Sequence, residues 1–172
     1  LFSGTLFSNI TFDNNEVTEE KVLDIMRQIG AQSFVDKQPN GIYEPVTDMG
    51  KNFSVGERQL IAFARVMVYN PEILILDEAT ANIDTETEIM IQKALNVISQ
   101  NRTTFIIAHR LSTVKHADQL IVLNKGNIVE KGTHEELVKK DGLYAKMYQS
   151  QMREEHLHEE LVSGKIEKSL QV

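Results

Sequence analysis

The stretch that decides the fold is Ile73-Leu74-Ile75-Leu76-Asp77-Glu78, a continuous apolar run that ends abruptly in two carboxylates. Unbroken short apolar runs of this kind are found in parallel strands covered on both faces, so a buried central strand is expected here. Asn70-Pro71 precedes it and stops a helix expected from about Val55 to Tyr69. After it, Ile91, Ala94, Leu95 and Ile98 fall on one face of a helix expected over about 85–99. A second apolar strand, Thr104 to Ala108, then runs into His109. Strand, helix, strand is a crossover unit with parallel strands, which brings the C-terminal ends of both strands, and hence Glu78 and His109, to one edge of the sheet.

Ligands in open α/β sheets sit just beyond the carboxyl ends of the strands, which makes that edge the candidate site. Asp77 is placed to hold Mg2+, a hard cation that takes oxygen ligands and keeps most of its waters. Glu78, the next residue along, points elsewhere and is placed to accept a proton from an attacking water. His109 could hydrogen-bond a transferring phosphate. The plainer alternatives are solvated loop acids and an ordinary loop histidine; the pairing of the acids with His109 across one crossover favours the chemical reading. Asp84 caps the following helix or meets a partner through Ala81-Asn82-Ile83-Asp84, two readings of equal weight.

Upstream, Ser54-Val55-Gly56-Glu57 opens the helix that Asn70 closes, with the serine and glutamate at capping-box spacing. A helix N-terminus with free N–H groups, a serine hydroxyl and a glycine that permits close approach is also a phosphate site, and both roles are compatible. Further upstream, Thr18 caps a helix whose Val22, Ile25, Met26 and Ile29 share a face, with Gly30 ending it. Downstream, residues 119–123 and 128–130 read as a hairpin. Thr133 and Glu136 have capping-box spacing for a helix reaching past Tyr148, with a break at Asp141-Gly142, and a polar, frayed tail is expected from about Arg153.

Composition sets the bounds. The chain has 172 residues, 41% hydrophobic and 25% charged, which fits one globular core. A net charge of −7 without a basic patch argues against nucleic acid, and the absence of cysteine excludes disulfides and thiolate metal sites. No apolar run approaches the roughly 20 residues of a membrane span. Gly164-Lys165 is not a P-loop remnant, since Ile166 stands where Ser or Thr is needed. His156 and His158 beside Glu159 and Glu160 read as a solvated helix face.

In this order, Phe53-Ser54-Val55-Gly56-Glu57-Arg58-Gln59, Ile73 to Glu78, Ala81 to Asp84 and His109 resemble the nucleotide-binding domain of ATP-binding cassette (ABC) transporters, over nearly the whole chain to about Gln151. The resemblance implies an α/β fold: a partial P-loop NTPase with a parallel sheet core and an inserted helical signature subdomain. It implies a parsing into a helical subdomain at about 13–70, a Walker B to switch core at about 71–132, C-terminal helices at about 133–152, and the tail. Glu78 and His109 would be catalytic, Asp77 would support Mg2+, and Ala81, Asn82, Ile83 and Asp84 would form the D-loop. Ser54, Val55, Gly56 and Glu57 would be the signature that contacts ATP held by a second nucleotide-binding domain, identical or not.

Leu1-Phe2-Ser3-Gly4-Thr5 and Gly132-Thr133-His134-Glu135-Glu136-Leu137 resemble the exporter branch. That branch implies a transmembrane domain as partner and a place at the cytoplasmic face of a membrane. By the same resemblance the P-loop and the Q-loop glutamine are expected ahead of Leu1, leaving the isolated chain inactive. Phe53, Val55 and Glu57 depart from the family's Leu-Ser-Gly-Gly-Gln, which puts bulk and negative charge near a phosphate. Pro45 stands where the exporter X-loop has glutamate. Two other readings are a non-catalytic module that dimerises with a complete cassette and a soluble ABC-type ATPase of DNA repair or chromosome structure; the latter carries long coiled coils, and none lies between Asp13 and Gly50.

Overall fold

The structure, a computed structural model, describes residues 1–77, 85–108 and 111–162. It divides into two compact units, Leu1–Ile107 and Ala108–Val172.

In the first unit, β1 (Gly4–Thr5) leads directly into α1 (Leu6–Thr11). Thr5 caps that helix in a reciprocal pair with Ser8. α2 (Glu19–Gln28) is capped by the Thr18 hydroxyl, and Val22, Ile25, Met26 and Ile29 are buried as their spacing requires. Gly30 follows at φ +73, a left-handed turn that glycine adopts without cost. α3 (Gln32–Asp36) and a 3-10 turn (Gly41–Tyr43) lead to β2 (Pro45–Val46), which pairs antiparallel with β1. α4 (Val55–Tyr69) ends at Asn70 in left-handed backbone, because Pro71 cannot continue the helix.

β3 (Ile73–Asp77), α5 (Thr85–Ser99) and β4 (Thr103–Ile107) form the expected parallel unit, with Ile73 level with Thr103 and Asp77 level with Ile107. The inward face packs Leu74 and Leu76 toward the core that α4 and α5 share through Leu60, Ile61, Ala64, Ile91, Ala94 and Ile98. The outward face corrects the expectation of a strand covered on both sides. Ile73 is 61% exposed, Ile75 68%, Phe105 56% and Ile107 55%. Among the described residues β3 and β4 pair only with each other. An apolar run reports that both faces are meant to be buried; it does not say which residues cover them.

In the second unit, α6 (Leu111–Val114) precedes the hairpin of β5 (Leu120–Asn124) and β6 (Asn127–Gly132). Its loop is tighter than expected: only Lys125 and Gly126 lie outside the strands, both at positive φ, which suits the right-handed twist of a two-residue turn. α7 (His134–Lys139) has the expected Thr133–Glu136 capping box, and the break falls at Asp141. α8 (Leu143–Val162) runs well past the expected limit near residue 152. Its start is capped from another element: the Glu130 carboxylate accepts the N–H groups of Leu143 (2.6 Å) and Tyr144 (3.0 Å). Among the described residues no helix is long and apolar enough to cross a membrane.

Candidate functional site

Two features of the first unit carry site residues. One is the N-terminus of α4. Ser54 has extended backbone, its Oγ accepts the N–H of Glu57 at 3.2 Å, and the Glu57 carboxylate accepts the N–H of Ser54 at 2.8 Å. The negative charge of Glu57 is therefore turned back onto the cap. Val55 and Gly56 are the first two residues of α4, where N–H groups have no carbonyl within the helix to bond. Val55 is exposed while Gly56 is buried, and the hydroxyl hydrogen of Ser54 remains able to donate. Just before the cap, the buried Phe53 ring meets Phe34 edge-on, with centroids 5.8 Å apart at 80°. The turn thus stands on an aromatic pair in the core.

The other feature is the end of β3. Asp77 is its last residue, exposed, on the same outward face as Ile73 and Ile75, and level with Ile107 at the end of β4. The two strands finish at one edge, as the crossover argument requires. Glu78, Ala81, Asn82, Ile83, Asp84 and His109 lie outside the described residues. Among the described residues no group of three His, Cys, Asp or Glu could by itself hold a metal ion. One exposed carboxylate at a strand end nevertheless suits Mg2+, which is commonly bound through one or two carboxylates, with water and phosphate oxygens completing its shell.

Several polar contacts in this unit are not apparent from motif spacing. Arg65 of α4 donates to the Asn9 backbone oxygen (2.5 Å) and to Asn9 Oδ1 (3.0 Å), and lies 4.7 Å from the centre of the Phe12 ring. Partial burial lowers the pKa of its guanidinium. Tyr43 donates to the Glu19 carboxylate at 3.0 Å, and that hydrogen bond, reinforced by burial and the neighbouring charge, raises the phenol's pKa. Arg58, one turn into α4, is held by two main-chain oxygens. No pattern of spacing announces these contacts, because they depend on how loops fold back on helices.

Known proteins match this arrangement. Residues 2–81 match the model of the ABC transporter family. The chain is 56% identical over 156 residues to the "Probable multidrug resistance ABC transporter ATP-binding/permease protein YheH" of Bacillus subtilis, covering 91% of this chain and 23% of that protein. It is 48% identical over 152 residues to the multidrug resistance-like ATP-binding protein MdlB of Buchnera aphidicola, covering 88% of this chain and 26% of the relative. A solved bacterial Atm1-family ABC exporter with ATP bound superposes with a TM-score of 0.77 at 38% identity, over 88% of this chain and 26% of that one. The chain thus spans about a quarter of the length of these relatives. Sequence and fold agree that residues 2–81 match the ABC transporter family and that the chain carries part of the exporter nucleotide-binding fold, a P-loop NTPase fold.

Proposed function

We propose that this chain forms the signature face and the hydrolytic strand of an ATP-driven membrane exporter, coupling ATP hydrolysis to movement of membrane helices. The observation that carries the proposal is a serine-capped helix N-terminus in the same unit as a parallel strand pair ending in Asp77, in a chain 56% identical to a transporter's ATP-binding/permease protein. In that setting ATP supplies the phosphoanhydride, and Mg2+ offsets the charge of its phosphates.

Each residue then has a distinct task. Asp77 would hold Mg2+, Glu78 would accept a proton from the attacking water, and His109 would hydrogen-bond the terminal phosphate. Ser54, Val55 and Gly56 present donors to a nucleotide held by a second nucleotide-binding domain. Glu57 fits that role because its charge is occupied by the cap. Ala81 to Asp84 meet the same partner. The assembly sits at the cytoplasmic face of a membrane, joined to a transmembrane domain. Within it, residues of about 13–70 form the signature subdomain, 71–132 the hydrolytic core and 133–152 the C-terminal helices. The sequence holds no G-x-x-x-x-G-K-S/T, so the isolated chain has no loop of that type to cradle phosphates and hydrolyses no ATP alone.

The proposal is tested in the transporter that carries this sequence. His109→Ala lowers ATP turnover by about 100-fold, the usual cost of removing one donor to developing charge, while ATP binding persists. Turnover unchanged from wild type contradicts the assignment.

A further inference from the structure

Arg58 connects the capped turn of α4 to the loop before it. Its Nη1 donates to the carbonyl oxygens of Phe53 (2.5 Å) and Gly50 (3.2 Å), and among the described residues no acidic side chain forms an ion pair with it. Gly50 O also accepts the N–H of Phe53 at 3.0 Å, so one carbonyl anchors both ends of the turn. The loop that provides these carbonyls is unusual. Asp48, Met49 and Gly50 follow one another at φ 47, 58 and 86, left-handed backbone that side-chain-bearing residues rarely adopt. Gly50 is buried against Leu1 and Arg58, and a β-carbon added there would lie 3.3 Å from Arg58 Cδ.

The same loop is tied at its other end. Asn52 Nδ2 donates to Pro45 O at 2.9 Å, and Asn52 Oδ1 accepts the N–H of Thr47 at 3.1 Å, which fastens the loop to β2. Two side chains therefore hold a strained segment from opposite sides: Asn52 to the strand and Arg58 to the helix. A loop in sparsely populated backbone geometry persists only where its surroundings over-determine it. Here the last restraint before the cap is the Arg58 guanidinium, which offers two hydrogens from one nitrogen in a fixed plane.

From this geometry we infer that Arg58 is a positioning residue for the phosphate-facing turn. By holding Gly50 and Phe53, it keeps Phe53 seated on Phe34 and Ser54 in its cap, and so fixes where the Ser54 hydroxyl and the Val55 and Gly56 amides point. Arg58 itself touches no ligand in this role. The inference rests on the reading of Ser54 to Gly56 as an ATP contact, and its test separates the two.

Amide hydrogen exchange is measured on the full 172-residue chain and on Arg58→Met, which keeps the aliphatic stem and removes the donors. The expected result is at least ~10-fold faster exchange at the Phe53 and Glu57 amides, with Val22 and Ile25 of α2 unchanged as internal controls of folding. Arg58→Lys, which retains a charge and donors but not the planar fork, falls between the two. No change at Phe53 and Glu57, or an increase spread evenly over the unit, overturns the inference.

In the transporter that carries the chain, Arg58→Met raises KM for ATP more than it lowers kcat, as misdirected binding groups require. Ser54→Ala impaired beside Arg58→Met at wild-type kinetics overturns the positioning role and leaves the ATP reading standing. Ser54→Ala at wild-type kinetics overturns the ATP reading, and the inference falls with it.

Discussion

Within the first unit, the helices and the sheet solve the burial problem unequally. Leu6, Ile10, Val22, Met26, Ile29, Leu60 and Ile61 are almost completely removed from solvent among α1, α2, α4 and their loops. The two-stranded β3–β4 sheet uses one face for that core and leaves Ile73, Ile75, Phe105 and Ile107 in contact with water. Helices that pack on one another close a core locally, whereas a parallel strand needs neighbours on each side and a layer on each face. Asp77, the candidate Mg2+ ligand, lies on that open face, at the edge where the strands finish.

Substitutions in the two layers should differ accordingly. Ile61→Ala, at a fully buried position of α4, should cost about 2–5 kcal/mol through lost transfer energy and a cavity. A urea melt of the chain reads this directly; a loss below the noise would mean that the helical core is not as closed as its burial indicates. Ser54→Ala should cost about 1 kcal/mol, the usual worth of an N-cap, without changing the m-value. Ile75→Ala, on the open face, should stay within about 0.5 kcal/mol. The same face should bind the apolar dye ANS, and Ile75→Lys combined with Phe105→Lys should reduce that signal. Equal costs for Ile61→Ala and Ile75→Ala would erase the comparison.

A smaller, pH-dependent effect belongs to the second unit. Two N–H groups, Tyr144 first and Leu143 second, hold the Glu130 carboxyl below its ordinary value of 4.5. A depressed folded-state value means that this cap is fully present above 4.5 and is lost as pH falls through the lower folded value. Amide shifts of Leu143 and Tyr144 should therefore titrate together below that pH. Gly142 lies against the same carboxylate, so Gly142→Ala should disturb both amides at neutral pH as well.

What the sequence made legible follows from how local each signal is. The α2 face, the α4 capping box and the parallel pairing of β3 with β4 rest on spacing within one element or across one crossover, and the structure has them. α1 was not anticipated because its Thr5–Ser8 cap lacks the usual Glu or Gln and the helix is a single short run. α8 outran its expected end because a polar surface helix shows no apolar stripe to mark its length. At the candidate site, the Ser54 cap and the place of Asp77 at the end of β3 follow from spacing within one element, and the structure has both. The Arg58 tie does not follow from spacing, since its acceptors are main-chain oxygens of a loop whose shape no residue pattern specifies. Glu78 and His109 were legible as motif residues and lie outside the described structure.

The most direct test of the account is ATP hydrolysis by the transporter carrying Glu78→Gln, measured alongside ATP binding. Removal of the general base should lower turnover by about 100-fold or more while nucleotide binding is retained. Turnover equal to wild type would contradict the placement of the hydrolytic base at the end of β3, and with it the reading of this chain as the hydrolytic strand of an ABC exporter.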